Sequence, residues 1–279
     1  MALAILCNGL GAAAQTATSF FWRSDSLQIS GVYNVAPNQY KTVGHHGPAI
    51  ENEYFALRMY FNDSGSIDLY SKSGEQMELL KYLWYPTIAQ QVYEGAGCDE
   101  YKVGRTVGCG GFSLWDGSKE VKLVAKSRSV NTGKTRNGSF IEMTAWGVPY
   151  KDTEVDIRVR IEAYVGKRVM KIIATELNGQ KVQFLTGLNW HKGQDVAFGR
   201  NWICVWGKHP EDVSLNPAPV GAGLSFDAHV FAEPNQTGDM VRIISKPKSS
   251  VSTALICASV KEMELSTYAT FREWVEWLF

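Results

Sequence analysis

The stretch GHHGPAIENEYFALRMYFNDSGSIDLYSKSG, Gly44 to Gly74, holds two of the five histidines, four acids and three tyrosines. Its alternation predicts a hairpin about a turn at Asp63-Ser64-Gly65, with Gly65 in the left-handed position. Pairing Asn62 with Ser66 then sets Tyr60 opposite Asp68, Met59 opposite Leu69 and Arg58 opposite Tyr70. Phe55, Leu57, Met59, Phe61, Ile67 and Leu69 fall on one face; Asn52, Tyr54, Arg58, Tyr60, Asp68, Tyr70 and Lys72 fall on the other. An ordinary solvent face would favour Lys, Glu, Thr and Ser. Planar hydrogen-bonding groups beside tyrosine rings suit a sugar, with its rim of hydroxyls and its apolar C–H face. A rigid structural network on a twisted sheet would use the same residue types.

His45 and His46 precede this face in a loop where Gly44 and Gly47 allow close approach or unusual dihedrals and Pro48 stiffens the exit. A neutral imidazole there is an acid or base near neutral pH, or a cap for backbone groups. Two histidines do not make a metal centre; Glu51 or Asp99 would have to add ligands, and their spacing is not diagnostic. GLNWHKG sets Trp190, His191 and Lys192 at a strand end, a stacking platform beside an acid or base. GCDEYKVG carries Asp99, Glu100 and Lys102 between glycines, equally suited to a solvated loop. His209 in GKHPED reads as a surface turn, and His229 in DAHVFA as a strand residue of the core or a cleft.

Three functions accommodate these groups. β-Elimination of a uronate glycan would use Arg58 and Asn52 to hold the carboxylate. His46 or His191 would be the base, and Tyr54 or Tyr60 the acid. His45, Tyr60, Asp68, Tyr70, Trp190 and Lys192 would contact the substrate. Hydrolysis or epimerisation would use carboxylates instead, such as Glu53 with Asp99, or His191 with Asp68 in a mutarotase-like pair. A non-catalytic glycan-binding protein would need only stacking platforms, and the chain has nine tryptophans and twelve tyrosines.

The elements that must position these residues are short strands punctuated by turns. TEVDIRVRIEAYV turns Val155, Ile157, Val159 and Ile161 one way and Asp156, Arg158, Arg160 and Glu162 the other. Further strands read at EVKLVAKSRSV, SFIEMTAWGV, RVMKIIATEL, VQFLTGLNW, AFGRNWICVWG, GLSFDAHVFA, MVRIIS and TALICASVKEM. NPAPVGAG, Asn216 to Gly223, reads as a long loop, and GCGGF at Gly108 as a bend or bulge. Only STYATFREWVEWLF has helical spacing, with Ser266 as N-cap and Tyr268, Phe271, Val275 and Leu278 on one side. The pattern predicts a mainly β chain: one large antiparallel sandwich or barrel with a short C-terminal helix.

Lys+Arg and Asp+Glu balance at 28 each over 279 residues, which argues against nucleic acid. No apolar run reaches the roughly 18 residues of a membrane-spanning helix. Residues 1–15, MALAILCNGLGAAAQ, resemble a signal-peptide leader, with an apolar run and an A-x-A-like site but no basic start. The mature domain would then be 16–279, periplasmic or secreted. Export would let Cys98, Cys109, Cys204 and Cys257 pair in any of three ways; four buried thiols are the alternative. No cofactor is expected; calcium, the identity of the glycan, the reaction type and the oligomeric state are left open.

At HHGPAIENEYFALRMYF, IDLYSKSG, GAGCDEYKVGRTVG and GLNWHKG the chain resembles the secreted Bacteroidota family known as domain of unknown function 4861, which is linked to polysaccharide utilisation. The likeness covers most of the chain from about Tyr40 onward. It implies export, a poly- or oligosaccharide partner, and a supersandwich similar to those of galactose mutarotases and several polysaccharide lyases. It assigns no catalytic residue.

Overall fold

The structure is a computed structural model that describes residues 15–83, 85–212 and 214–279. The leader-like stretch lies outside the described residues except for Gln15. Three antiparallel sheets form, one of nine strands and two of five. The two smaller sheets join through the segment after Val103: Ile67 N donates to Val107 O, Cys109 N to Ile67 O, and Gly110 N to Gly187 O. The GCGGF bend makes this junction. Gly108 and Gly110 have φ of 78° and 72°, and a Cβ on Gly108 would lie 1.9 Å from Ile67 O. One apolar core, drawing on all three sheets, lies between this layer and the nine-stranded sheet. The architecture is an antiparallel β-sandwich, and no closed barrel forms among the described residues.

Period-2 alternation sets the core. In strand Thr153–Tyr164, Val155, Ile157, Val159 and Ile161 are buried, while Arg158, Arg160 and Glu162 are partly exposed. The terminal helix Tyr268–Leu278 starts one residue later than expected, capped by the Thr267 hydroxyl. It seats Phe271 and Val275 against Trp206 and Ile256. Gly221 and Gly223 make room: a Cβ on Gly221 would meet Phe271 at 2.8 Å, and one on Gly223 would meet Val275 at 2.7 Å.

Some boundaries differ from the sequence reading. NPAPVGAG is not loop throughout, because strand Val220–Phe226 begins inside it. GLSFDAHVFA ends its strand at Phe226, and His229 is exposed in the following turn. His209 is instead 4% exposed, the reverse of the expected order. A helix Ile88–Tyr93 was not anticipated; its capping box joins Thr87 and Gln90. All four described cysteines are free and buried.

Candidate active site

The hairpin forms between strands Phe55–Met59 and Ile67–Ser71. Its register is Met59 with Ile67, Arg58 with Asp68, Leu57 with Leu69 and Ala56 with Tyr70. This is two residues from the expected pairing, because the turn is longer: Tyr60 N donates to Ser66 O. Asn62 Oδ1 organises that turn by accepting from Ser64 and Gly65, and Gly65 takes φ of 59°. A two-residue slip preserves side-chain parity, so Arg58, Tyr60, Asp68 and Tyr70 still face away from Leu57, Met59 and Leu69.

Asn52 and Tyr54 leave that face. The strand Ala49–Asn52 ends in a turn, and Asn52 Oδ1 accepts from Tyr54 N and Phe55 N at 3.0 Å each. Its Nδ2 donates to Lys167 O at 2.9 Å, so this fully buried side chain is spent on backbone. Tyr54 lies over the Arg168 guanidinium, 4.4 Å from Cζ, and lines a separate hollow with Glu75, Glu262 and Met263. Tyr70 is buried and donates to Glu78 Oε2 at 2.5 Å. Lys72 donates to Glu51 Oε2 at 2.6 Å and to two backbone carbonyls.

Arg58, Asp68 and Tyr60 do converge. Arg58 Nη2 bonds Asp68 Oδ2 directly across the hairpin and reaches Asp99 Oδ2 at 2.7 Å. Asp99 comes from the short strand Cys98–Asp99, paired at Tyr70. Arg58 and Asp68 are 1% and 0% exposed, and Asp99 6%. Tyr60 donates its hydroxyl to Asp68 Oδ2 at 2.7 Å. Burial raises the Asp68 carboxyl to about 7, against the pull of Arg58 and with a push from Asp99. Burial opposes the Arg58 charge, but Asp68 and Asp99 outweigh it and keep the guanidinium protonated. Burial first, then Asp68, drives the Tyr60 phenol far above its ordinary value, so Tyr60 is a proton holder and not a phenolate base.

Aromatic rings roof this group. Tyr85 lies 5.1 Å from Arg58 Cζ. Tyr40 stacks on His46 at 3.9 Å and meets Tyr60 edge-on at 5.2 Å. His46 Nδ1 donates to Tyr40 O at 2.9 Å, which makes Nε2 the acceptor nitrogen of the ring. Burial keeps that ring's pKa below the usual value. His45 and His46 both take positive φ, 53° and 61°, a strained pair that costs about 1–2 kcal/mol per residue. Gly47 is required beside them, since a Cβ there would lie 1.9 Å from Met59 O. His45 turns inward, with Nε2 3.1 Å from Ser19 Oγ, and burial lowers it to about 3. It does not line the cleft.

A cleft of about 70 Å³ opens over Tyr60, between Tyr40, Tyr85, Asp99, Tyr101 and Lys102. That is well below the roughly 300 Å³ of a site that engulfs its ligand, so a bound molecule would enter by one edge and leave the rest on the rim. The Trp190-His191-Lys192 turn adjoins this cleft instead of entering it. His191 meets His209 edge-on at 5.0 Å, and His209 packs 4.1 Å from the cleft-lining Tyr101. Trp190 packs against the core, and Lys192 is exposed. Asp99 was expected only as a carboxylate or metal ligand. Tyr40, Tyr85 and Tyr101 were not singled out, and only their nearness to GHHGP and GCDEYKVG could have marked two of them. Among the described residues no group of three or more His, Cys, Asp or Glu could hold a metal ion.

Burial also lowers His209 to about 3. Its folded value is depressed below the unfolded one, so its contribution is complete above about pH 6.5 and is lost as pH falls toward 3. Within that window it should erode stability by about 1.4 kcal/mol per pH unit. Urea titrations at pH 7 and pH 4.5 check this: His209→Gln should narrow the gap between the two midpoints, and an unchanged gap would show that His209 titrates normally.

Fold and site together define a two-layer antiparallel β-sandwich protein with a tyrosine-lined polar cleft on one outer face. The chain belongs to the family described as domain of unknown function (DUF4861), which matches residues 18–278. No curated protein matches it. Among solved structures it is similar to a 4-alpha-glucanotransferase from Thermococcus litoralis, at 10% identity and TM-score 0.37, over 77% of this chain and 40% of that one. It is also similar to a heparan sulfate lyase HepC mutant from Pedobacter heparinus, at 11% identity and TM-score 0.40, over 76% and 34%. A third is the GH36 alpha-galactosidase AgaA from Geobacillus stearothermophilus, in complex with raffinose, at 10% identity and TM-score 0.32, over 82% and 40%. The chain spans less than half the length of each of these proteins. No helix among the described residues is long and apolar enough to cross a membrane.

Proposed function

We infer that the chain is a sugar-active enzyme working by general acid–base proton transfer on a neutral saccharide, in the manner of an epimerase or mutarotase. The supporting observation is the convergence of Tyr60, Asp68, Asp99 and Arg58 beneath a roof of tyrosine rings that opens to solvent. Asp99, the carboxylate of this group that lines the cleft, takes a proton from a sugar hydroxyl. Tyr60 passes its proton to the ring oxygen in the same step as it takes one from protonated Asp68, so no buried phenolate forms, and the raised affinity of Asp68 keeps that proton within reach near neutral pH. Tyr40 and Tyr85 offer flat faces to the C–H side of the ring. His46 acts through Tyr40, holding that ring by stacking and by its Nδ1 hydrogen bond.

β-Elimination of a uronate stands second. It needs a cation on the substrate carboxylate, and Arg58 is already committed to two carboxylates at 1% exposure. Lys102 on the cleft wall is the group that favours this reading. Against it, Arg58 offsets one carboxylate, and the remaining negative charge repels a uronate about 5 Å away by roughly 3 kcal/mol at an effective dielectric of about 20. Hydrolysis by two carboxylates is weaker still, since Asp68 is sealed from solvent. Export from the cell belongs to the same proposal.

The test is a panel of neutral and uronate oligosaccharides, followed by NMR for anomer or epimer exchange, by ultraviolet absorbance for unsaturated uronates, and by reducing-end assay. Accelerated exchange on a neutral sugar is expected. Unsaturated product would move the assignment to the lyase reading, and new reducing ends without it would move the assignment to hydrolysis. A panel bound but left chemically unchanged would reduce the cleft to a binding site.

A further inference from the structure

The outer face of the nine-stranded sheet, across the core from the cleft, carries a second arrangement suited to sugars. Ser129 and Asn131 on strand Ser127–Thr135 stand opposite Thr144 and Glu142 on strand Gly138–Tyr150. Their neighbours Val130, Ile141, Met143 and Ala145 are in the core, so parity turns this set outward. Trp146 continues the row. Its indole N–H donates to Ser129 Oγ at 2.8 Å, which fixes the ring and leaves its face as the binding element. Tyr33, on the edge strand Gly31–Val35, meets Trp146 edge-on at 6.3 Å while 78% exposed. These residues line a groove of about 470 Å³, ligand-sized and several times the cleft.

Glu142, the acid that lines the groove, is already paired. Glu142 accepts from Arg160 at 3.0 Å, and Arg160 also donates to Glu162 at 2.7 Å. What the groove offers is two aromatic rings and short polar groups; its lining holds no cation for an acidic chain, and Arg158 stands on the next strand, opposite Thr144. We propose that this groove is a second binding site, for a neutral polysaccharide or oligosaccharide. A sugar ring lays its C–H face on Trp146 beside Tyr33, and its hydroxyls meet Asn131, Glu142 and Thr144. The groove shares no residue with the cleft and does not depend on the reaction assigned there.

Affinity electrophoresis of the full chain through gels containing starch, xyloglucan or galactomannan tests it, with polygalacturonate as the acidic control. At least one neutral polysaccharide should retard the wild type. Tyr33→Ala and Trp146→Ala should each weaken that binding about tenfold, the scale of one lost stacking contact. Tyr33 is exposed enough for its removal to leave the fold intact, which circular dichroism would verify. Asp99→Asn should be retarded like the wild type, which separates this site from the cleft. Retardation undiminished in both aromatic variants, retardation lost only in Asp99→Asn, or binding to polygalacturonate alone would each overturn the assignment. So would the absence of retardation by every neutral polysaccharide.

Discussion

Replacing Arg58 with methionine should destabilise the protein by about 3–5 kcal/mol, the usual cost of removing one partner from a buried ion pair. Arg58 balances Asp68 and Asp99 on the floor of the cleft, where Arg58 and Asp68 are buried and only Asp99 reaches the opening. Without it, two carboxylates face each other with one tyrosine hydroxyl between them and solvent. Protonation offers partial relief, so the loss should be larger at pH 8 than at pH 5. Adding Asp68→Asn to Arg58→Met should return much of the stability, because the remaining pair is then singly charged. Denaturant unfolding of the single and double variants at both pH values measures this. A loss under 1 kcal/mol, or no recovery in the double variant, would mean that the trio is more hydrated than its burial implies. The wild type carries a related signature. Asp68 titrates higher in the folded state than the roughly 3.9 of an unfolded aspartate. The folded state therefore binds the extra proton between about pH 4 and 7, and the Asp68 contribution falls as pH rises through that window. This is the opposite sign to His209, so each is read from its own variant.

Asp99→Asn and Tyr60→Phe should each lower turnover by about 10²- to 10⁴-fold, the range for losing a general base or acid. Asp99→Asn keeps the shape of the cleft and can still hydrogen-bond Arg58, so substrate affinity should change little while kcat falls. Tyr60→Phe removes the hydroxyl that joins the cleft to Asp68. It should also flatten the limb of the pH–rate profile governed by Asp68. Steady-state kinetics on whichever saccharide the panel identifies makes the comparison. If KM rises and kcat holds in both variants, these groups bind substrate and do not move protons.

The hairpin shows how far alternation carries. The expected pairing was two residues off, yet its division into apolar and polar faces held, because an even slip preserves parity. An odd slip would have reversed it. The same local logic placed Val155 to Ile161 in the core and found the terminal helix within one residue of its start. It failed where a turn interrupts a strand. Asn52 and Tyr54 were counted on the Arg58 face, but the Asn52 side chain caps a backbone turn and sends Tyr54 to another part of the surface.

The chain's own residue order thus determined an antiparallel β protein, the faces of its strands, the need for glycine beside the paired histidines, and a polar hairpin rich in tyrosine. Those features depend on neighbours a few positions apart, which a period of two makes legible. Tertiary structure alone decided that Arg58 is consumed by Asp68 and Asp99, that Tyr40 and Tyr85 roof the site, and that His209 is buried while His229 meets water. Each of these turns on segments tens of residues apart meeting across sheets. The burial of these polar groups depends on which distant segments pack over them, and the local pattern does not record that.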